Sequence, residues 1–167
     1  MIKELNKPLS AKSNQQEIVV TRDEAVFWLD RNGHWHNEGG RIELKKVIHR
    51  FNLSIQKDIN GYFLTQINCG KLEKVYFHYE DTALFAIDIN KKEPITLRLN
   101  NGHCLPLYPE KLFVSGECLY TLINDDWIKF SERSLLKISS WIDYEKSPYI
   151  FHYQGKIFPI NEKLKYQ

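Results

Sequence analysis

Apolar and polar positions change period several times along the chain, and each change predicts an element. In "TRDEAVFWLDRNG", Ala25, Trp28 and Leu29 fall on one helical face. Thr21 followed by Glu24 fits a capping box, and Asn32-Gly33 suits a helix end. The spacing predicts a helix over 22–31. "HWH" then reads as a short extended piece, with His34 and His36 on one side and Trp35 on the other. After Gly39-Gly40, the positions Leu44, Val47, Ile48 and Phe51 predict a second helix, with Lys45, Lys46 and Arg50 off the buried stripe.

From Gly61 onward the period falls to two. "GYFLTQI" and "LEKVYFHY" read as strands, and the near-continuous "ALFAIDI" as a central one. "PITLRLNNGHCLPL" predicts a hairpin turning at Asn101-Gly102, with Ile95, Leu97 and Leu99 pointing one way. "ECLYTLINDDWIKF" predicts another, turning at 124–126. "SERSLLKISSWIDY" predicts a third helix with Ser131 as N-cap and a stripe of Leu135, Ile138 and Ile142. "YIFHYQGKIFPI" closes the chain as a hairpin with a turn at Gln154-Gly155.

A faint internal echo runs through these pieces. Trp35, Arg41, a helix and "YFL" are followed later by Trp127, Arg133, a helix and "YIF". Such an echo implies two similar sheet-plus-helix motifs in one fold. The expected class is α+β: antiparallel sheets, three helices and two repeated motifs intertwined in one unit. The organisation is a polar tail over 1–17 and one domain over 18–167, with repeat halves at about 33–110 and 111–167.

Composition narrows the function classes. Of the 167 residues, 43% are apolar and 26% charged, ordinary for a globular protein, and 13% are aromatic, which predicts a ring-filled core. The net charge of +2 provides no broad basic field for nucleic acid. There is no apolar run long enough to cross a membrane and no apolar signal-peptide centre. Cys69, Cys104 and Cys118 are odd in number and widely spaced, without a CxxC pair. These features place the protein in the cytoplasm with reduced thiols.

The candidate chemistry is sparse. His34 and His36 could share a metal ion if a third ligand such as Glu38, His49 or Asp81 converged on them; the alternative is that they edge a strand while Trp35 fills the core. Cys69, beside a glycine, has no GxSxG-like setting, and a P-loop is absent. Glu80-Asp81 and Asp125-Asp126 are carboxylate pairs in turn positions. Arg41 lies between the double glycine and a helix, where it could meet an anion or simply cover Trp35.

The order "GHWHNEGGRI", "LKKVIHRF", "DINGYFLTQ", "LEKVYFHYEDTALFAIDI" and "LRLNNGHCLPL" resembles the bacterial domain-of-unknown-function family 1285 (DUF1285). Gly33, Trp35, Gly39 and Ile42 match its opening. Gly61, Tyr62, Leu64 and Thr65 match a strand pair, and Glu73, Lys74, Glu80, Asp81 and Phe85 the strands that follow. Gln66 stands where the family pattern has proline, and "INCGKL" adds residues before Glu73. The resemblance implies an α+β fold with a repeated, intertwined motif. It also implies a cleft-bound small ligand and a role in signalling or regulation, with no established activity. The expected ligand-binding residues are Trp35, His36, Arg41, Glu73, Lys74, Glu80 and Asp81, with Arg41 pairing an anionic group. No catalytic residue and no cofactor is expected. A metal-dependent hydrolase using His34 and His36, and a protein-interaction module with a protein partner or a second copy of the chain, are the alternatives.

Overall fold

The structure is a computed structural model that describes residues 17–163; the expected polar tail lies, except for Glu17, outside the described residues. The fold is mixed α+β and mostly strand, with two α-helices among the described residues. The chain enters as β1 (Ile18–Val20) and passes through a 3-10 turn at Arg22–Glu24. The Glu24 carboxylate accepts from the Thr21 amide at 2.9 Å and the Thr21 hydroxyl at 2.8 Å, so the capping signal is used. The helix expected over 22–31 does not form. The chain extends as β2 (Phe27–Leu29), reverses, and returns as β3 (Trp35–Asn37) and β4 (Gly40–Arg41). Phe27 and Leu29 are buried while Trp28 between them is half-buried, a period of two. Leu29 faces Trp35 across the hairpin, and that pairing outweighs the local helical pattern. Gly33 sits in the hairpin turn at φ 81°, where an added Cβ would press within 3.2 Å of the Phe85 ring.

The next helix forms as α1 (Lys45–Leu53). Ile48 and Phe51 pack on the core, while Leu44 precedes the helix and is exposed. Then β5 (Ile55–Asp58), β6 (Gly61–Asn68) and β7 (Lys71–Tyr76) make an antiparallel ribbon. Past Phe77 the chain continues as β8 (His78–Tyr79), which runs parallel to β2. The apolar run becomes β9 (Leu84–Asn90), followed by β10 (Thr96–Leu99) and β11 (Cys104–Pro106). Ile95, Leu97 and Leu99 are buried together, and Gly102 takes φ 86° in the turn between the last two strands.

The final third holds β12 (Leu112–Ser115), β13 (Cys118–Ile123), β14 (Asp126–Phe130), α2 (Glu132–Ile138), β15 (Ile142–Asp143), β16 (Tyr149–Tyr153) and β17 (Lys156–Glu162). Asn124 and Asp125 both take positive φ, 51° and 64°, as a tight hairpin turn requires. The Ser131 hydroxyl caps α2 by accepting from the Ser134 amide at 3.3 Å. Ile142, expected on the helix stripe, lies beyond the helix in β15.

The strands form a nine-stranded sheet, β11-β10-β9-β14-β13-β12-β17-β16-β15, and two four-stranded sheets, β1-β7-β6-β5 and β4-β3-β2-β8. The expected purely antiparallel arrangement is corrected by parallel pairs: β1 with β7, β2 with β8, β9 with β14, and β12 with β17. Each joins strands separated by long stretches of chain, which lets them run the same way. The three expected helices reduce to two, because the first segment became β2.

The core is ring-filled, as the composition implied. Trp35 is 0% exposed. Its ring lies edge-on to Phe27, Phe51 and Phe77, with centroids 5.8, 5.2 and 4.9 Å away. The indole N–H donates to Asn52 Oδ1 at 2.8 Å, so its one polar group is satisfied. Trp35→Ala is expected to lower unfolding free energy by about 3–5 kcal/mol in urea denaturation, through lost burial and a residual cavity. A loss below about 1 kcal/mol would show that the aromatic cluster is not the anchor of this half of the core.

Candidate functional site

The loop between β8 and β9 carries Glu80, Asp81 and Thr82, and each is fixed by a different neighbour. The Glu80 amide donates to the Leu29 carbonyl at 3.0 Å, and its carboxylate accepts from the Arg31 amide at 3.1 Å. Asp81 Oδ2 accepts from the Tyr120 hydroxyl at 2.7 Å and from Lys129 Nζ at 2.9 Å. Lys129 Nζ also donates to the Arg31 carbonyl at 2.7 Å. The Thr82 hydroxyl donates to the Trp127 carbonyl. The Lys129 and Asp81 side chains are only 10% and 11% exposed, so this ion pair is mostly shielded from water.

In front of that loop lies a cleft of about 340 Å³. Tyr62 from β6, Tyr79 from β8 and Trp127 from β14 give it aromatic walls. Glu80, Asp81, Asp125 and Asp126 supply carboxylates, and Lys57 supplies a cation. The Tyr62 and Tyr79 rings meet edge-on at 5.5 Å. The Tyr62 hydroxyl donates to Asp126 Oδ1, and Lys57 Nζ reaches the same oxygen. Burial, and then Asp126, push the Tyr62 hydroxyl far up; burial, and then Asp81, do the same to Tyr120. Both phenols therefore stay protonated near neutral pH and act as donors. The lining carries more negative than positive charge.

Of the expected site residues, Glu80 and Asp81 line this cleft. Glu73 lies on the β6–β7 hairpin, where its carboxylate accepts from Gln66 Nε2 at 2.9 Å and Asn68 Nδ2 at 3.0 Å. Lys74 donates to Asp58 Oδ2, as does the Tyr76 hydroxyl at 2.7 Å. Trp35 is interior and does not line the cleft, and Arg41 is exposed on β4.

His34 and His36 do sit on one side of the strand, and both reach one carboxylate. His34 Nδ1 and His36 Nε2 lie 3.3 and 3.1 Å from Asp30 Oδ2. Asp30 Oδ1 accepts from the Asn32 and His34 amides, each at 2.8 Å, and so shapes the β2–β3 turn. Burial raises the Asp30 carboxyl, but the His34 amide and the other donors outweigh it and hold the group below its usual range. The His36 ring stacks on Trp28 at 5.5 Å. Among the described residues, no three His, Cys, Asp or Glu side chains are grouped to hold a metal ion.

Sequence reasoning missed Lys57, Tyr62, Trp127 and Lys129 as site residues. Tyr62 matched a family pattern and Trp127 headed the echo, but only tertiary structure brings them to one cleft. Asp125-Asp126 was recognised as a hairpin tip; that the tip faces Tyr62 has no local signal.

No family profile matches the chain, and no curated protein does. Similarity appears among solved structures. A DUF1285 family protein from Silicibacter pomeroyi superposes with a TM-score of 0.57 at 14% identity, over 85% of this chain and 81% of that one. A DUF1285 family protein from Shewanella baltica gives 0.45 at 18% identity, over 64% of this chain and 84% of that one. The first comparison shows a shared fold and supports the resemblance read from the sequence motifs.

One acid-sensitive element follows from these contacts. Lys74, and then Tyr76, hold the Asp58 carboxyl down at about 2, against an ordinary 3.8. A carboxyl lowered in the folded state stabilises above its unfolded pKa and loses that contribution as pH falls through the folded one. Stability measured by urea denaturation is expected to fall as pH drops from about 4 to about 2, and Asp58→Asn should flatten that fall. Identical slopes for both proteins in that window would contradict the assignment.

Proposed function

We propose that the protein is a binding module that recognises a small cationic ligand in the cleft between Tyr62, Tyr79 and Trp127, and that it serves a regulatory or signalling role without catalysing a reaction. The observation that carries this reading is the convergence of three aromatic walls on a cleft of about 340 Å³, where Asp125 adds a carboxylate beyond those that Lys57, Lys129 and Arg31 already engage. Aromatic faces attract ammonium and guanidinium groups, and carboxylates orient them. Lys57 pairs with Asp126, Lys129 with Asp81 and Arg31 reaches Glu80, so the acidic excess that favours a cation over the anion first expected from Arg41 rests on Asp125. The free thiols of Cys69, Cys104 and Cys118 support a reducing compartment such as the cytoplasm.

The cleft is formed, on this reading, between two intertwined copies of one motif. The first copy is β2–β3–β4, α1, then β5–β6–β7 with β8 as its extension. The second is β12–β13–β14, α2, then β15–β16–β17. In each, the first strand runs parallel to the end of the last: Trp28 beside His78, and Phe113 beside Asn161. In each, the residue at that position stacks on its partner across the first hairpin: Trp28 on His36 at 5.5 Å and 16°, Phe113 on Tyr120 at 5.5 Å and 13°. The last hairpin of each turns on two positive-φ residues, Cys69-Gly70 and Gln154-Gly155. The copies thus begin near Phe27 and Leu112, the first of them earlier than the sequence suggested. Trp35 and Trp127 are not counterparts, because Trp35 lies on the second strand of its ribbon and Trp127 on the third.

Agmatine and choline are suitable probes. Titration calorimetry is expected to show binding of at least one at millimolar concentration or below. Asp125→Asn, which tolerates the same left-handed backbone, should weaken it by about five-fold or more. Binding of acetate or phosphate with no response to either amine would overturn the reading.

A further inference from the structure

The register that relates the two copies also shows where they differ. Leu29 faces Trp35 across the first hairpin, and Val114 faces Leu119 across its counterpart. Phe77 precedes β8, and Ile160 occupies the matching place in β17. The second copy therefore has Leu119 for Trp35, Ile160 for Phe77 and Val114 for Leu29. Each replacement is smaller. In the first copy the space under the helix is full: Trp35, Phe77 and Leu29 are completely buried, and Trp35 touches Phe51 of α1. In the second copy a cavity of about 220 Å³ remains, lined by Val114, Leu119, Leu135, Ile142 and Ile160.

We propose that this cavity binds a small planar aromatic compound of about the size of indole, whose ring takes in the second copy the place that the Trp35 side chain holds in the first. Val114, Leu119, Leu135, Ile142 and Ile160 make its aliphatic side, with Glu117 among the other lining residues, and an apolar surface gains by being covered with an apolar ring rather than water. Tyr144 and Tyr149, edge-on at 5.5 Å and exposed, border its opening. The mouth opens to a larger groove bordered by Glu145, Lys146 and Ser147, where a polar end of the ligand would lie. The site shares no lining residue with the amine cleft. The inference rests on the two-copy reading but not on the amine assignment.

Indole itself is the probe. Equilibrium dialysis is expected to show that intact protein binds it, and nuclear Overhauser contacts should run from bound indole to the Leu119 and Ile160 methyls. Leu119→Phe and Ile160→Phe, which copy the bulk of the first motif, should each weaken binding about five-fold or more. No binding of indole, bound indole without contacts to either methyl, or binding that survives unchanged in both filled variants, would overturn the proposal. Indole binding with these contacts in a protein that ignores agmatine and choline would sink the amine reading and leave this one standing.

Discussion

A single buried amine holds the molecule's parts in register. Lys129 starts on β14, in the last third of the chain, and ends against the Arg31 carbonyl in the β2–β3 turn, near its start. On the way it meets Asp81 in the β8–β9 loop. A charge so far from water is costly unless it is paired and hydrogen-bonded, and here both conditions hold. Tyr120 adds a neutral donor to the same carboxylate oxygen. The geometry leaves the loop little freedom: Glu80 is fixed to the β2–β3 hairpin on one side and Asp81 to β13 and β14 on the other.

The cleft is a consequence of that pinning. Its floor is the loop that Lys129 holds, and its walls come from strands on either side of it. Other acidic groups are consumed in scaffolding. Asp88 gathers Lys137 and Arg98, which hold its carboxyl far below the usual range, and so ties α2 to β9 and β10. Asp58 does comparable work between β5 and β7 through Lys74 and Tyr76. Asp126 is shared between Tyr62 and Lys57 at the edge of the cleft, where scaffold and site meet.

Much of the fold was legible because its local signals agree with its tertiary ones. The hairpins at Asn101-Gly102 and Gln154-Gly155, the cap at Ser131 and the alternation of Ile95, Leu97 and Leu99 all read directly. The segment at Phe27–Leu29 did not, because its residues satisfy both periods over so short a span and only the partner Trp35 decides between them. The parallel pairs were invisible for a related reason: nothing near Ile18 or Leu112 signals a partner far along the chain. The site was legible only in part. Glu80 and Asp81 stood out as a carboxylate pair, whereas Lys129 looked like any strand lysine. Its burial depends on Asp81 and Arg31, which sequence distance conceals.

The interaction on which this arrangement turns can be measured by itself. A double-mutant cycle on Asp81→Asn and Lys129→Met, followed by urea denaturation at neutral pH, isolates the coupling between the two side chains. A coupling of about 2 kcal/mol or more is the result predicted for a shielded pair that ties the β8–β9 loop to β14. Additive effects, with coupling below about 0.5 kcal/mol, would contradict it and leave the cleft without its proposed support.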